Sequence, residues 1–155
     1  MQEPTLNDHN KAEYPPAHTA EHLLNQTMYR MVGWGRSKNA HIERKKSKIN
    51  WPLPSCPTPE QITQIETTIK EIIAKGLPVT YEFVTRDNLP SDVSLEKLPD
   101  DVSETLRLVR IGDYDVCACI GTHVENTNQL KDFRITSTSY NDGIFRIVYK
   151  VWFIY

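Results

Sequence analysis

Cysteine is scarce in this chain, and no long apolar run interrupts it. The 155 residues include three cysteines and six glycines, and the formal net charge is −2. An odd cysteine count without an export signal argues against a disulfide scaffold and favours reduced thiols, which can bind metal. No apolar stretch approaches the roughly 18 residues of a membrane span. The small negative charge gives no overall attraction to nucleic acid, so any polyanion must be held by a local basic patch.

The composition is that of a soluble globular protein. Hydrophobic residues make up 39% of the chain and charged residues 25%. The length suffices to bury a core without covalent cross-links. Residues 1–14 are polar and lack the basic and apolar regions of a secretory signal. We therefore expect a flexible leader over 1–14, a single domain over 15–155 and a cytoplasmic location.

Hydrophobic periodicity predicts helices in the first half of the chain and strands in the second. Apolar residues recur at helical spacing from Pro15 to about Val32, where Gly33 follows. A second helix follows Thr58, which begins a capping box, and ends at Gly76. The segment 79–85 and most of 105–155 are rich in β-branched and aromatic residues, whereas 86–103 is typical of a loop. We predict an α+β fold, a two-layer sandwich with helices on one face of a mostly antiparallel sheet.

Two pairs of potential metal ligands lie about a hundred residues apart. His18 and His22, in "HTAEH", share one face of the first helix, where side chains four residues apart can chelate an ion. Cys119 and His123, in "CACIGTHV", follow a predicted strand. Each pair alone has an ordinary explanation. His18 and His22 could be solvated histidines, and Cys119 could be a small buried hydrophobic residue. Together they favour a metal site. Cys117 shares a strand face with Cys119 and is an alternative ligand.

The two motifs together resemble those of a known family. "HTAEHLL" at 18–24 and "CIGTHVENT" at 119–127 are similar to the signatures of alanyl-tRNA synthetase editing domains and of their free-standing relatives, the AlaX proteins. The likeness extends over about 16–151. It implies a zinc-containing hydrolase that cleaves the ester of mischarged tRNA. His18, His22, Cys119 and His123 match the family's metal-ligand positions.

The same resemblance implies a substrate and a mode of action. The expected substrate is tRNA for alanine carrying serine, with glycine as a second wrong amino acid, and the length matches short free-standing editors that act in trans. The reaction requires no ATP and no membrane. Glu21 stands where the family's amino-acid pocket lies, and we assign it to substrate binding.

Roles within the site are less determined by the sequence. Four protein ligands are typical of a closed structural zinc site, whereas catalytic zinc usually has three. We therefore predict that His123 is the exchangeable ligand or the catalytic base. Thr122 and Asn126 are candidate substrate contacts, with ordinary turn chemistry as the alternative. The basic run at 44–48 is the candidate tRNA contact, with a solvated hairpin as the alternative, and it comprises Arg44, Lys45, Lys46 and Lys48.

Two other functions remain open at this stage. One is a non-catalytic RNA-binding or interaction module with a structural zinc site. The other is an editor of seryl-tRNA for threonine, since threonyl-tRNA synthetase editing domains share this layout. The aromatic final strand, "VYKVWFIY", must be covered within the chain or by a second copy, so both a monomer and a homodimer are considered.

Overall fold

The computed structural model describes residues 14–34, 36–37, 39–85, 88 and 105–153. The predicted leader, apart from Tyr14, and the predicted loop over 86–103, apart from Asn88, lie outside these residues. The described chain forms two helices and seven strands in this order: α1 (Pro15–Val32), β1 (Asn39–His41), β2 (Ser47–Pro52), α2 (Pro59–Lys75), β3 (Val79–Thr85), β4 (Thr105–Ile111), β5 (Asp115–Ala118), β6 (Leu130–Asn141) and β7 (Ile144–Phe153).

Local sequence signals account for the bounds of both helices. Pro15 and Pro59 occupy the first helical turns, where their missing N–H groups cost nothing. The Thr58 hydroxyl accepts a hydrogen bond from the N–H of Gln61, and the Gln61 side chain accepts one from the N–H of Thr58. Gly33 and Gly76 end the helices in the left-handed conformation, with φ of 74° and 72°.

All strand pairs between the named strands are antiparallel, and they form two sheets. One sheet has the order β1-β2-β7-β6 and the other β3-β4-β5. The helices pack on these sheets, which confirms the predicted α+β class. Along the chain, α2 separates β2 from β3, and a loop with a short 3₁₀ turn (Thr127–Gln129) separates β5 from β6.

Helix α1 lies in the centre of the molecule. Its buried residues occur around most of its circumference, including Leu23, Leu24 and Met28 as well as His18 and His22. The inward side chains of β7, Phe145, Ile147 and Tyr149, are also fully buried. Because α1 is enclosed on nearly all sides, its two histidines are not solvated.

The last strand is paired within the chain. β7 lies between β2 and β6 and forms hydrogen-bonded ladders with both. Its two edges are thus covered without a second copy. Within the residues described here, no helix combines the length and the apolar character needed to cross a membrane.

Candidate metal centre

Four side chains from opposite ends of the sequence meet beside the N-terminal half of α1. His18, His22, Cys119 and His123 each offer one ligand atom, and these atoms lie within 4.8 Å of one another. His18 and His22 are only 1% and 4% exposed, and His123 is 9% exposed. The arrangement is a nearly enclosed cluster of nitrogen and sulfur donors.

The two secondary-structure elements supply the donors in pairs. One helical turn separates His18 from His22, and their ring centroids lie 5.0 Å apart. Cys119 follows the end of β5, and its N–H donates to the carbonyl of Arg107 on β4 at 3.1 Å. The chain then turns away from the sheet, so that His123 reaches back and stacks on His18, with ring centroids 4.0 Å apart.

His18 and His123 each use one ring nitrogen outside the cluster. Nδ1 of His18 lies 2.9 Å from the carbonyl of Thr122, to which it must donate, and Nδ1 of His123 lies 2.9 Å from the Thr19 hydroxyl. The Nε2 atoms then face the Cys119 sulfur at 3.4 Å and 3.8 Å. Outer partners of this kind fix the tautomer and orientation of a metal-binding imidazole.

His22 has a carboxylate as its outer partner. Nδ1 of His22 lies 3.5 Å from Asp115, an ion-pair distance longer than a normal hydrogen bond. Asp115 accepts two hydrogen bonds from Arg36, at 2.8 and 3.0 Å, and one from Gln26 at 2.9 Å. Burial alone would raise the pKa of Asp115, but Arg36 and His22 hold that pKa well below its usual range. The Asp115 carboxylate therefore stays negatively charged beside His22.

Electrostatics favours a thiolate at the centre of the cluster. Burial alone would raise the pKa of Cys119, but the neighbouring imidazoles of His123, His18 and His22 lower it to about 2. Burial would lower the pKa of His22, which Asp115 and Cys119 instead raise to about 10. Burial and the neighbouring histidines lower the pKa of His123 to about 4. Without metal, these shifts favour a thiolate at Cys119, a protonated His22 and a neutral His123.

The loop after β5 is held close against the cluster. The Arg107 guanidinium donates to the carbonyl of Cys119 at 2.9 Å and also to the carbonyl of Gly121. A Cβ on Gly121 would lie 2.5 Å from Cε1 of His18, closer than real Cβ contacts allow. Glycine at 121 is required by this close approach.

The donor set fits zinc. Three imidazoles and one thiolate are ordinary zinc ligands, with bonds of roughly 2.0–2.3 Å. A tetrahedron of such bonds has edges of about 3.5 Å, and the two Nε2 to sulfur distances of 3.4 and 3.8 Å are close to this value. The outer partners described above are those that a metal-bound histidine normally has.

The predicted substrate contacts occupy three different settings. Glu21 is buried, with its carboxylate 3.7 Å from Nε2 of His18. Thr122 is exposed in the ligand loop. Asn126 accepts from the N–H of Asn128 at 2.9 Å and donates to the carbonyl of Gly76 at 3.0 Å. Both polar side-chain atoms of Asn126 therefore stabilise the fold, which favours its turn role.

The predicted basic run, Cys56 and Cys117 are not members of the four-residue cluster. The Arg44 guanidinium lies 4.8 Å from the centre of the Tyr14 ring. All four basic residues of the run are exposed, and Lys48 lies on β2. Cys117 is buried and lies outside the four-residue cluster, and Cys56 is exposed.

Sequence reasoning missed the residues that support the ligands. Thr19 lies inside the first motif, between the two histidines, and could have been found there. Asp115 was detectable in principle, since it precedes Cys117 and Cys119 at the two-residue period of a strand. Arg36 and Arg107 carried no local signal.

The chain is similar to part of several alanine–tRNA ligases and to one family model. Residues 106–148 match the model of the family described as "Threonyl and Alanyl tRNA synthetase second additional domain". Alanine–tRNA ligase of Methanococcus vannielii is 29% identical over 151 residues, covering 94% of this chain and 17% of that protein. Alanine–tRNA ligase of Mycoplasmoides gallisepticum is 30% identical over 123 residues, covering 77% of this chain and 14% of that protein.

These similarities confirm the resemblance that the two motifs indicated. The match to the Methanococcus protein extends far beyond the segment 106–148 and covers nearly the whole chain. The chain is an alanyl-tRNA synthetase editing-domain-like protein. It spans about one sixth of the length of the curated relatives it matches.

Proposed function

We propose that this chain is a zinc-dependent deacylase that acts in trans on mischarged tRNA. Its principal substrate is tRNA for alanine carrying serine, and the glycine ester is a second substrate. The observation that carries the proposal is the buried cluster of His18, His22, Cys119 and His123, in a chain related to alanine–tRNA ligases. We further propose that the protein acts in the cytoplasm without ATP.

The four cluster residues would hold one zinc ion. When bound, zinc would supply Lewis-acid polarisation and a water of lowered pKa, both of which assist ester hydrolysis. The outer partners Thr19 and Asp115, with the carbonyl of Thr122, keep one nitrogen of each histidine turned towards the ion. The chain thus contributes a pre-oriented site that needs little rearrangement when substrate arrives.

We keep His123 as the proposed catalytic base or exchangeable ligand. It is the most exposed of the three cluster histidines, and its Nε2 is farther from the Cys119 sulfur than that of His18. A neutral imidazole with a fixed Nδ1–H can accept a proton at Nε2. Glu21, beside His18, and Thr122, in the ligand loop, are the proposed contacts to the amino-acid part of the substrate.

The competing candidate is a structural zinc module. Its support is the number of protein donors, because four ligands close a zinc site whereas catalytic sites keep one position open. A second competitor is an editor of seryl-tRNA for threonine, since the matching family covers both synthetases. These alternatives predict different substrates, so one experiment separates them.

The experiment is incubation of the purified, zinc-loaded protein with four charged tRNAs. They are seryl-, glycyl- and alanyl-tRNA for alanine and seryl-tRNA for threonine, and release of amino acid is followed over time. We expect release of serine fastest from the alanine tRNA, with the alanyl ester largely intact. Preference for seryl-tRNA of threonine would reassign the substrate, and no release from any of the four would favour the structural module.

A further inference from the structure

The outer face of the four-stranded sheet carries a group of cations that the metal centre does not use. We define the basic face as Lys48 on β2, Arg146 and Lys150 on β7, and Arg134 on β6. All four side chains are exposed. Strand pairing aligns Lys48 beside Val148 and Arg134 beside Lys150, so that they share one side of the sheet.

This face has a strong local excess of positive charge. In the register of the described strands β1, β2, β6 and β7, Asp132 is the one carboxylate that projects on the same side. The chain as a whole carries a formal net charge of −2. The cations are therefore concentrated on one surface against an acidic background, which is the electrostatic footprint of polyanion binding.

Three of these cations contact neighbouring side chains, and Nε of Arg134 lies 3.5 Å from a carboxylate oxygen of Asp132. Nε of Arg146 donates to the Asn50 side chain at 2.8 Å. The Arg134 guanidinium and the Lys150 ammonium lie 5.6 and 5.0 Å from the centre of the Trp152 ring. Across three strands and along β7 the basic face covers roughly 10 by 13 Å, enough for several successive phosphates of an RNA strand.

The charge pattern also indicates which partner fits. A symmetric dimer through this face would bring cations of one copy against cations of the other, which is unfavourable. Trp152 is 36% exposed between two cations, and an aromatic ring in that setting can stack with an unpaired base. RNA fits both features, because its phosphates can pair with the cations and its bases can stack on Trp152.

We propose that the basic face binds the phosphate backbone of tRNA and so anchors the substrate outside the metal centre. This inference rests on the proposed function for the identity of the RNA. It extends the predicted tRNA contact from Lys48 on β2 to two further strands. The hairpin turn with Arg44, Lys45 and Lys46 precedes Lys48 in the sequence, and all three of its basic residues are exposed.

The test uses uncharged tRNA for alanine, so that binding is measured without catalysis. For the unaltered protein we expect the logarithm of affinity to fall with the logarithm of salt concentration, with a slope of about −3 to −4. Arg146→Gln/Lys150→Gln should reduce this slope by about 2 and weaken binding at low salt by roughly tenfold or more.

The matched single-charge comparison is Lys150→Gln against Lys75→Gln. Lys75 is exposed at the end of α2, whose buried isoleucines pack in the core with the inward side chains of β7. We expect Lys150→Gln to reduce the salt slope by about 1 and Lys75→Gln to leave it unchanged. Equal effects of the two substitutions would overturn the proposal.

A second measurement requires no substitution and so does not depend on the folding of variants. Acetylation of surface lysines in the unaltered protein is followed by mass spectrometry with and without tRNA. Protection of Lys48 and Lys150, but not of Lys75, is expected.

The proposal is wrong if tRNA protects neither, if anionic phospholipid vesicles bind more tightly than tRNA, or if light scattering reveals a dimer that Arg146→Gln/Lys150→Gln dissociates. Loss of tRNA binding in these variants supports the basic face even where no deacylation is found, which separates it from the proposed enzymatic function.

Discussion

The hydroxyl of Thr19 lies 2.9 Å from Nδ1 of His123, although 104 residues separate them in the sequence. The same hydroxyl oxygen accepts a hydrogen bond from the N–H of Val124 at 3.2 Å. One threonine of α1 thus ties the helix to both the backbone and the imidazole of the loop. It fixes which nitrogen of His123 faces Cys119.

We expect Thr19→Val to weaken zinc binding by roughly 10- to 100-fold, the usual effect of losing an outer partner. Affinity is measured by competition with a chelator well below the melting temperature. Thr19→Ser keeps the hydroxyl and should restore most of the affinity. Thr27→Val is the matched control, because Thr27 is also buried on α1 but bonds to Leu23 and Tyr114. Equal affinity losses at positions 19 and 27 would contradict the role of Thr19.

Replacing Cys119 and Cys117 one at a time tests which of these two cysteines binds zinc. Cys119→Ala should lose nearly all bound zinc and lower the melting temperature, since the binding energy of a zinc site is partly folding energy. Cys117→Ala should retain about one zinc per chain, because Cys117 lies outside the cluster. Elemental analysis and thermal melts test both. Zinc retained by Cys119→Ala but lost from Cys117→Ala would reassign the ligand.

His123→Ala distinguishes an exchangeable ligand or base from an equal fourth ligand. If His123 has the catalytic role proposed above, the zinc content of protein prepared with excess metal should largely remain, although zinc affinity falls at least as far as in Thr19→Val, while deacylation falls by roughly 10²–10⁴. Zinc content, melting temperature and seryl-tRNA hydrolysis are compared with those of the parent. Loss of zinc as complete as in Cys119→Ala would make all four residues equal ligands of a closed site.

Much of the fold was predictable because its signals are local. The cap at Thr58 and the terminating Gly76 depend on residues within a few positions of the helix ends. The division of the strands between two sheets was not predictable, since pairing partners such as Ser47 and Tyr149 are about a hundred residues apart. Burial of His18 and His22 also required tertiary information, because their faces of α1 carry no apolar stripe.

The candidate ligands were predictable for a different reason. Their chemistry is unusual enough that H-x3-H and C-x3-H remain visible in a single sequence. The supporting residues are common types in unremarkable contexts, so Arg107 could be linked to the ligand loop only through the pairing of β4 with β5. The basic face is similar, since its four members come from three strands and no two of them are adjacent in the sequence.

Gly121→Ala tests the close approach between the ligand loop and His18. The added Cβ would lie 2.5 Å from Cε1 of His18, and Nδ1 of the ring is already held by the carbonyl of Thr122. We expect weaker zinc binding, because the ring or the loop must shift. Gly143→Ala is the comparison: its Cβ meets nothing within 4 Å, but its φ is +77°. That variant should lose about 1 kcal/mol of stability and no zinc affinity. Unchanged zinc affinity in Gly121→Ala would mean that the loop has room to adjust.

Arg107, on β4, ties the ligand loop to the three-stranded sheet. Its guanidinium donates to the carbonyls of Cys119 and Gly121 and lies 4.6 Å from the centre of the Tyr81 ring. Arg107→Met preserves much of the side-chain length but leaves both carbonyls without their charged donor. Leaving a partly buried carbonyl without its hydrogen-bond donor lowers the free energy of unfolding by about 1–3 kcal/mol. We therefore expect a melting temperature lower by roughly 4–8 °C and weaker zinc binding.

Arg110→Met provides the control for Arg107→Met on the same strand. Arg110 donates to Glu82 at 2.8 Å in an ion pair whose side chains are 31% and 44% exposed. Exposed pairs of this kind contribute about 0–1 kcal/mol, so this variant should melt near the parent and bind zinc normally. Chelator competition and thermal melts are compared for both variants. If Arg107→Met bound zinc as tightly as Arg110→Met, the loop would be positioned by its metal ligands and by Thr19, without help from the sheet.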